Sequence, residues 1–137
     1  MSLSNARKAL VAAYKTAFPT TSTAYENIPL DVPSAPWVKF TFMPAGVEVV
    51  TLGNAGEDEH TGVLQLDWNG TLGTGDADAA SFYASARAAF TAGQIITHSG
   101  SGQQVRVWSC ERTVGRVVDG FYRVSVNIRW TAREQRT

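Results

Sequence analysis

Few residues in this chain have the types and spacing that nucleophilic catalysis requires. Cys110 is the single cysteine among 137 residues, and a catalytic thiol needs a histidine partner and a lowered pKa. Cys110 instead falls at an alternating position of a predicted strand, beside Trp108 and Arg112, without a Cys–His signature. We interpret it as a small core or interface residue.

Metal-binding groups occur in two places. The segment 57–60 reads Glu-Asp-Glu-His, but consecutive residues in a glycine-bearing loop seldom converge on one ion, and no second ligand cluster supports them. Asp76 and Asp78 resemble part of a calcium loop, yet the glycine and the later glutamate of that motif are missing. We interpret the first segment as a solvated loop and the second as a helix cap.

A glycine-rich turn, Gly73-Thr74-Gly75, precedes a predicted helix and could bind phosphate. It lacks the Lys-Ser/Thr pair of a P-loop and the third glycine of a dinucleotide fingerprint. No Ser–His–Asp set can be assembled, and His98 is interpreted as an exposed loop residue. The sequence therefore predicts no enzyme, metal or cofactor, and it favours binding or assembly.

Composition indicates one globular domain spanning residues 1–137. Apolar residues make up 44% of the chain and the formal net charge is zero, which argues against disorder and against wholesale polyanion binding. No apolar run approaches the ~20 residues of a membrane span, and no signal peptide is recognised. We expect a soluble protein from a reducing compartment.

The net charge of zero conceals an uneven distribution. Residues 1–104 hold five bases and nine acids, whereas residues 105–137 hold seven arginines and three acids. An acidic body with a basic end is typical of polyanion binding or of head-to-tail association between subunits. Arginine without lysine favours protein interfaces, where charged groups are partly desolvated.

Hydrophobic periodicity positions the elements. Apolar residues at helical spacing predict helices over 3–18 and about 77–92. Alternation predicts strands, and clusters of proline, glycine and polar residues predict connections. The predicted strands are 37–43, 47–52, 62–69, 105–114 and 121–132; the predicted connections are an extended segment at 19–36, a turn at 44–46, a mobile loop at 53–61 and a hairpin turn at 118–120.

The order of these elements predicts an α+β fold. Two helices would pack on one face of a mixed or antiparallel sheet that ends in a C-terminal β-hairpin. The predicted core comprises Leu10, Tyr14, Phe40, Leu64, Leu66, Phe82, Phe90, Val124, Val126 and Ile128.

Three stretches carry a resemblance to a known family. They are 25–29 with 36–45, then 62–67 followed by a glycine-rich loop and an alanine-rich helix ending at Phe90, and finally 119–126 with 130–132. In this order and spacing, over roughly residues 2–133, the chain resembles the tail terminator proteins of long-tailed bacteriophages and prophages.

The resemblance implies a structural role in virion assembly. Such minor tail proteins form a ring, commonly a homo-hexamer, that ends polymerisation of the tail tube and presents a head–tail joining surface to the connector. The implied partners are the chain itself, the tail tube protein and the connector, with DNA only passing through the ring and no membrane. The implied locations are the virion tail and, during assembly, the host bacterial cytoplasm.

The charge pattern adds a hypothesis about the subunit interface. We expect at least one of four arginines in the C-terminal strands to meet acids of a neighbouring subunit. The arginines are Arg112, Arg116, Arg123 and Arg129, and the acids are Glu57, Asp58, Glu59 and Asp67.

Two alternatives remain open. One is another head–tail joining or tail tube protein of similar fold. The other is a small nucleic-acid-binding module that uses the arginine-rich C-terminal strands, where Trp108 and Tyr122 are interleaved with the arginines.

Overall fold

The computed structural model describes residues 3–26 and 35–135. These residues form two helices and seven strands that alternate irregularly along the chain. The helices are α1 (Leu3–Ala17) and α2 (Ala77–Ala89); the strands are β1 (Ser22–Ala24), β2 (Trp37–Val49), β3 (Glu57–Gly70), β4 (Ile95–Thr97), β5 (Gln104–Arg112), β6 (Arg116–Val118) and β7 (Phe121–Gln135).

All seven strands belong to one curled, mixed sheet in the order β1-β2-β3-β7-β5-β4, with β6 paired to the start of β7. The pairing of β1 with β2 is parallel and the other pairings are antiparallel. The longest ladder joins β3 to β7, from Glu57 opposite Gln135 to Gly70 opposite Tyr122. The predicted α+β class with a mixed sheet is confirmed.

Strict alternation of side chains creates the apolar face of the sheet. Leu66 lies opposite Phe40 on one side and Val126 on the other, and all three side chains are fully buried. The next cross-strand layer repeats this pattern with Leu64 opposite Ile128. Because side chains on a strand alternate between faces, these residues share one face. The predicted core residues are all buried.

The helices cover this face through small and aromatic side chains. Tyr14 of α1 contacts Phe40 edge-on, with ring centroids 5.4 Å apart, and Phe82 of α2 stacks on Trp68 at 6.4 Å. Ala6 and Ala86 are fully buried, which is consistent with a close approach of the helix backbones to their neighbours. Because these alanines are small, the helices lie close enough to the sheet for Tyr14 and Phe82 to contact its aromatic side chains.

Gly62 shows how tightly the far end of the core is packed. The Trp130 ring stacks on Phe42 with centroids 5.0 Å apart and lies across the backbone of β3. A Cβ atom at Gly62 would approach that ring within 2.4 Å and the backbone oxygen of Met43 within 2.6 Å. Glycine is therefore required by close approach of a side chain rather than by a turn.

The turn predicted at 44–46 is wrong. Strand β2 continues through Pro44 to Val49, and the pairing with β3 shifts by one residue between Pro44 and Gly46. The extra residue forms a β-bulge, which bends a strand without ending it. Proline and glycine, which suggested a turn, are equally suited to a bulge.

The loop predicted at 53–61 is also wrong for its second half. Residues 57–61 belong to β3 and pair with β2 on one side and β7 on the other. The connection is confined to 50–56, where the backbone N–H groups of Val50 and Thr51 donate to the carbonyl of Glu57 at 2.9 and 3.2 Å. Consecutive acids suggested a solvated loop, but two neighbouring strands supply the pairing that the local sequence does not indicate.

Several other predictions can be compared directly. The turn at 119–120 has positive φ at both Asp119 and Gly120, 51° and 82°, as a type I′ hairpin requires. Strand β1 was not anticipated, and the rest of the predicted connection at 27–34 lies outside the described residues. Neither described helix combines the length and the apolar character that crossing a membrane demands.

Replacing Val126 with aspartate should unfold the domain. Val126 is fully buried between Leu66 and the helices, and an unpaired buried carboxylate costs several kcal/mol, on the scale of the total stability of a small domain. Thermal and urea denaturation would measure the effect. The matched control is Val114→Asp at an 86% exposed valine, which should melt close to wild type. A Val126→Asp variant as stable as this control would contradict the assigned face of β7.

Candidate functional site

The face of the sheet opposite the helices holds most of the predicted site residues, and Asp67 lies at its centre. Asp67 is 5% exposed, and its Oδ1 accepts hydrogen bonds from the Ser125 hydroxyl at 2.5 Å and from Gln65 Nε2 at 2.7 Å. The carboxylate is thus satisfied between β3 and β7 of its own subunit. Its burial leaves it unsuited to meeting an arginine of a neighbour.

Arg123 is bound to the same polar cluster. Its Nε donates to Asn69 Oδ1 at 2.8 Å, and the fully buried Asn69 side chain in turn donates to the Asp67 carbonyl at 3.0 Å. This side chain is part-buried. Arg123 is therefore part of the hydrogen-bonded polar cluster of its own subunit.

Arg112 forms a bidentate ion pair within the subunit. Its NH1 and NH2 groups donate to the two carboxylate oxygens of Asp76 at 3.1 and 3.0 Å, and the Tyr122 hydroxyl donates to Asp76 at 2.6 Å. The Arg112 guanidinium, aided by Tyr122, lowers the pKa of the Asp76 carboxyl. The same carboxylate raises the pKa of Tyr122.

The capping role predicted for Asp76 needs correction. Asp76 occupies the N-cap position of α2, but its side chain makes no capping hydrogen bond. The two N–H donors of Arg112 outcompete the helix amides for the carboxylate, because charge-assisted bidentate pairs are stronger than neutral caps. The site joins the start of α2 to the end of β5.

The acidic segment meets an arginine that the sequence hypothesis did not include. Glu59 lies opposite Arg133 in the ladder, and Arg133 approaches Glu59 at 3.7 Å and Glu57 at 3.8 Å. Asp58 alternates to the other face, opposite Val49. Because residues 57–59 were predicted to lie in a loop, the sequence offered no strand register from which their pairing with the end of β7 could be predicted.

Arg116 and Arg129 differ from the other two predicted arginines. Both are exposed, and no acid among residues 3–26 and 35–135 lies within 4 Å of either guanidinium as an ion pair. The structure thus separates the four arginines into two that are used internally and two that face outward.

A groove on the polar face was missed by the sequence analysis. It has a volume of about 710 Å³ and continues toward Arg129. Trp108, one of the lining residues, is 54% exposed, donates from Nε1 to the Thr131 hydroxyl at 2.7 Å, and stacks under the Arg106 guanidinium at 5.7 Å. A register shift between Val107 and Ser109 expels Trp108 from the ladder. The alternation of residues along β5 does not indicate this bulge.

Cys110 and His98 do not form a nucleophilic site. Burial raises the pKa of the Cys110 thiol to about 11, so the thiol is protonated at neutral pH. The His98 ring shares a 2.7 Å hydrogen bond with Ser101 inside its own turn. Among the residues that the structure describes, no group of three His, Cys, Asp or Glu side chains could hold a metal ion.

Replacing Asp76 with asparagine should alter the acid stability of the domain. A lowered pKa in the folded state means that the carboxylate stabilises the fold above the unfolded pKa, near 3.8, and that this contribution disappears as the pH falls through the folded value. We expect Asp76→Asn to be less stable than wild type at neutral pH, with the difference shrinking below about pH 4. Urea denaturation across pH measures this, with exposed Glu111→Gln as the control. A constant difference at all pH values would contradict the assignment.

Replacing Ser125 with alanine should destabilise the fold. The change removes one of two side-chain donors to buried Asp67, and an under-satisfied buried group costs about 1–3 kcal/mol. Asn127→Ala is the control, since Asn127 lies on the same face of β7 and makes no side-chain hydrogen bond within residues 3–26 and 35–135. Equal urea midpoints for the two variants would show that Asp67 does not depend on Ser125.

Comparisons with known proteins agree with this architecture. Ten solved chains are significantly similar in structure. One, a protein whose name states no function, matches with a TM-score of 0.69 over 92% of this chain and 94% of its own length, at 19% sequence identity, which supports the fold alone. No curated protein is significantly similar in sequence.

The family comparison covers nearly the whole chain. A family model described as phage tail terminator protein matches residues 3–130, which include both helices and all strands except the end of β7. Its members are structural proteins rather than enzymes, located in the virion tail and in contact with other tail or head proteins. This chain is a structural phage tail protein that belongs to the phage tail terminator family.

Proposed function

We propose that the chain assembles into a homo-hexameric ring that caps the tail tube, ends its polymerisation and provides the joining surface for the head connector. The observation that carries this proposal is the family match over residues 3–130. The tail tube protein would bind one side of the ring and the connector the other, while DNA passes through the centre. Assembly would take place in the cytoplasm of the bacterial host.

The shape of the sheet supports a ring. Its two lateral edges are different: one is formed by β1 and the free part of β2, and the other by β4. A contact between unlike edges is heterologous, and it closes a ring when its rotation divides a full turn. A contact of one edge with the same edge of a second copy would instead give a two-fold dimer.

Two exposed arginines support a charged contact between copies. Arg116 and Arg129 are the predicted interface arginines that face outward; Arg129 lies on the central strand β7, and Glu57, Asp58 and Glu59 lie on the neighbouring strand β3, beside β2. We therefore retain these five residues in the interface hypothesis. Arg112, Arg123 and Asp67 would contribute through the stability of the subunit, because their charged groups are bonded within it.

A nucleic-acid-binding module is the second candidate, favoured by one observation. The Arg106 guanidinium stacks on exposed Trp108, and such pairs bind single-stranded nucleic acid by stacking and charge. The formal net charge of zero argues against nucleic-acid binding. Binding measured across salt concentration separates the candidates, because phosphate contacts give a steep salt dependence. A different head–tail joining or tube protein would instead fail to stop tube growth.

Charge reversal at Arg129 should prevent the ring from controlling tube length. If Arg129 meets an acid of the next subunit in a part-desolvated pair, Arg129→Glu should cost about 2–5 kcal/mol per contact, repeated around the ring. Purified protein would be added to polymerising cognate tube protein, and tube lengths measured by electron microscopy. Wild type should give short, uniform tubes, and Arg129→Glu should give long, variable ones.

The matched control is Arg87→Glu on the exposed side of α2. It should fold and cap tubes as wild type does, since exposed pairs contribute only about 0–1 kcal/mol. Uncontrolled tube growth in the presence of wild type would contradict the capping function. Normal capping by Arg129→Glu would contradict only the proposed charged contact.

A further inference from the structure

The end of the β2–β3 hairpin, residues 44–61, is here called the arm. Its β2 half is exposed throughout, from Pro44 to Val49. Val47 and Val49 are 57% and 62% exposed, although both belong to a well-paired strand. Exposed valines in regular structure, adjacent to each other on one face, indicate a contact surface.

Register determines which side chains share the face of these valines. Val47 lies opposite His60, and Val49 lies opposite Asp58, so both valines share the helix-side face with Asp58. Glu134, opposite Asp58 on β7, belongs to the same face, but its carboxylate lies 3.0 Å from His60 Nε2 of the same subunit. The arm therefore presents a short apolar strip next to Asp58.

The outer edge of β2 is open along the arm. Strand β1 pairs only with residues 37–39 of β2, and the N–H of Phe42 donates to Glu26 Oε1 at 2.7 Å. Beyond Phe42, no described strand pairs with this edge. An open edge with exposed valines is a surface on which a second chain can dock.

A complementary surface lies on the opposite lateral edge of the same sheet. Ile95 of β4 is 47% exposed and lies opposite Arg106 of β5. Trp108 continues this surface under the Arg106 guanidinium. The groove edge, defined as Ile95, Arg106 and Trp108, thus combines apolar area with a cation, whereas the helix-side face of the arm combines apolar area with the carboxylate of Asp58.

The two surfaces lie at the same level along the strands. β7 connects them: residues 131–135 pair with the arm half of β3, and Ala132 and Thr131 pair with Val105 and Arg106 of β5. Copies placed side by side would bring the arm of one to the groove edge of the next. The two surfaces have complementary charge and apolar area, and they lie at the same position along the strands. These properties favour a second copy of this chain as the partner that binds the groove edge.

We infer that the arm of each subunit docks on the groove edge of the next, with Val47 and Val49 against Ile95 and Trp108, and Asp58 against Arg106. This inference rests on the proposed ring and names the surfaces that close it. The helix-side face of one arm would cover the polar face of its neighbour, so that the subunits overlap.

Assembly measurements test the apolar strip. Sedimentation of the full chain across concentration gives the midpoint of ring formation for wild type, for Val47→Ser/Val49→Ser, and for the control Val114→Ser/Val117→Ser at the other end of the strands. We expect the arm variant to raise the midpoint at least about tenfold, while the control stays at the wild-type value. Equal midpoints for all three proteins would overturn the inference.

A charge exchange tests the direction of the contact. Asp58→Lys and Arg106→Glu should each weaken assembly, and the double variant should recover most of it, whereas Lys8→Glu on α1 should have no effect. Two single variants that fail to complement each other in the double variant would overturn the pairing. Thermal melting of each monomer separates loss of contact from loss of folding.

Cross-linking locates the contact. In a Cys110→Ser background, chains with both Val49→Cys and Ile95→Cys should oxidise to a covalent ladder that ends at the ring. An equimolar mixture of the two single-cysteine chains should stop at dimers, and either single variant alone should remain unlinked. Linked species from Val49→Cys alone would show a two-fold contact and overturn the inference.

Further outcomes separate this inference from the proposed function. Rings that form and cap tubes despite the arm variants would leave the function intact and overturn the inference. Arm variants that form rings but no longer cap tubes would assign the arm to the tube protein. Loss of DNA binding in Arg106→Glu with unchanged assembly would assign the groove edge to nucleic acid. A wild type that stays monomeric and leaves tube growth unchanged would overturn both.

Discussion

The register of the β3–β7 ladder is the constraint on which the rest of this structure depends. It runs without interruption from Glu57 opposite Gln135 to Gly70 opposite Tyr122. A shift of one residue would turn every side chain to the other face, bringing Asp67 under the helices and Leu66 to the polar face. The buried Asp67–Ser125 hydrogen bond on one face and the Leu66–Val126 contact on the other are compatible with a single register only.

That constraint also determines which charges are available outside the subunit. Hydrogen bonding fixes Arg123 to the layer around Asn69, and Arg112 joins the end of β5 to the start of α2 through Asp76. Both arginines thus use their charged groups within the subunit. Arg129, on the same strand as Arg123, lacks such a partner among residues 3–26 and 35–135 and can serve contacts with other chains. Sequence spacing alone could not distinguish the two.

The sequence predicted the elements whose own pattern determines them. Helix α1 and strand β7 have long periodic patterns, and their predicted bounds differ from the observed ones by few residues. Bulges at 44–46 and at Trp108 were missed because an extra residue is accommodated by the partner strand, not by the local sequence. The role of Asp76 was misjudged for a related reason, since the competing donor, Arg112, is 36 residues away. In each of these cases, the local structure depends on a residue that is distant in the sequence.

The arm shows why the corrected loop matters for assembly. A flexible segment must lose conformational entropy when it binds, which weakens the contact it forms. Here the arm is already ordered: β7 pairs with its β3 half, Arg133 approaches Glu57 and Glu59, and Gln135 Nε2 donates to the Ala55 carbonyl at 3.2 Å. The same β7 residues border the groove. One strand thus orders the arm and forms part of the surface at the other edge, so that folding of the subunit prepares both halves of a heterologous contact.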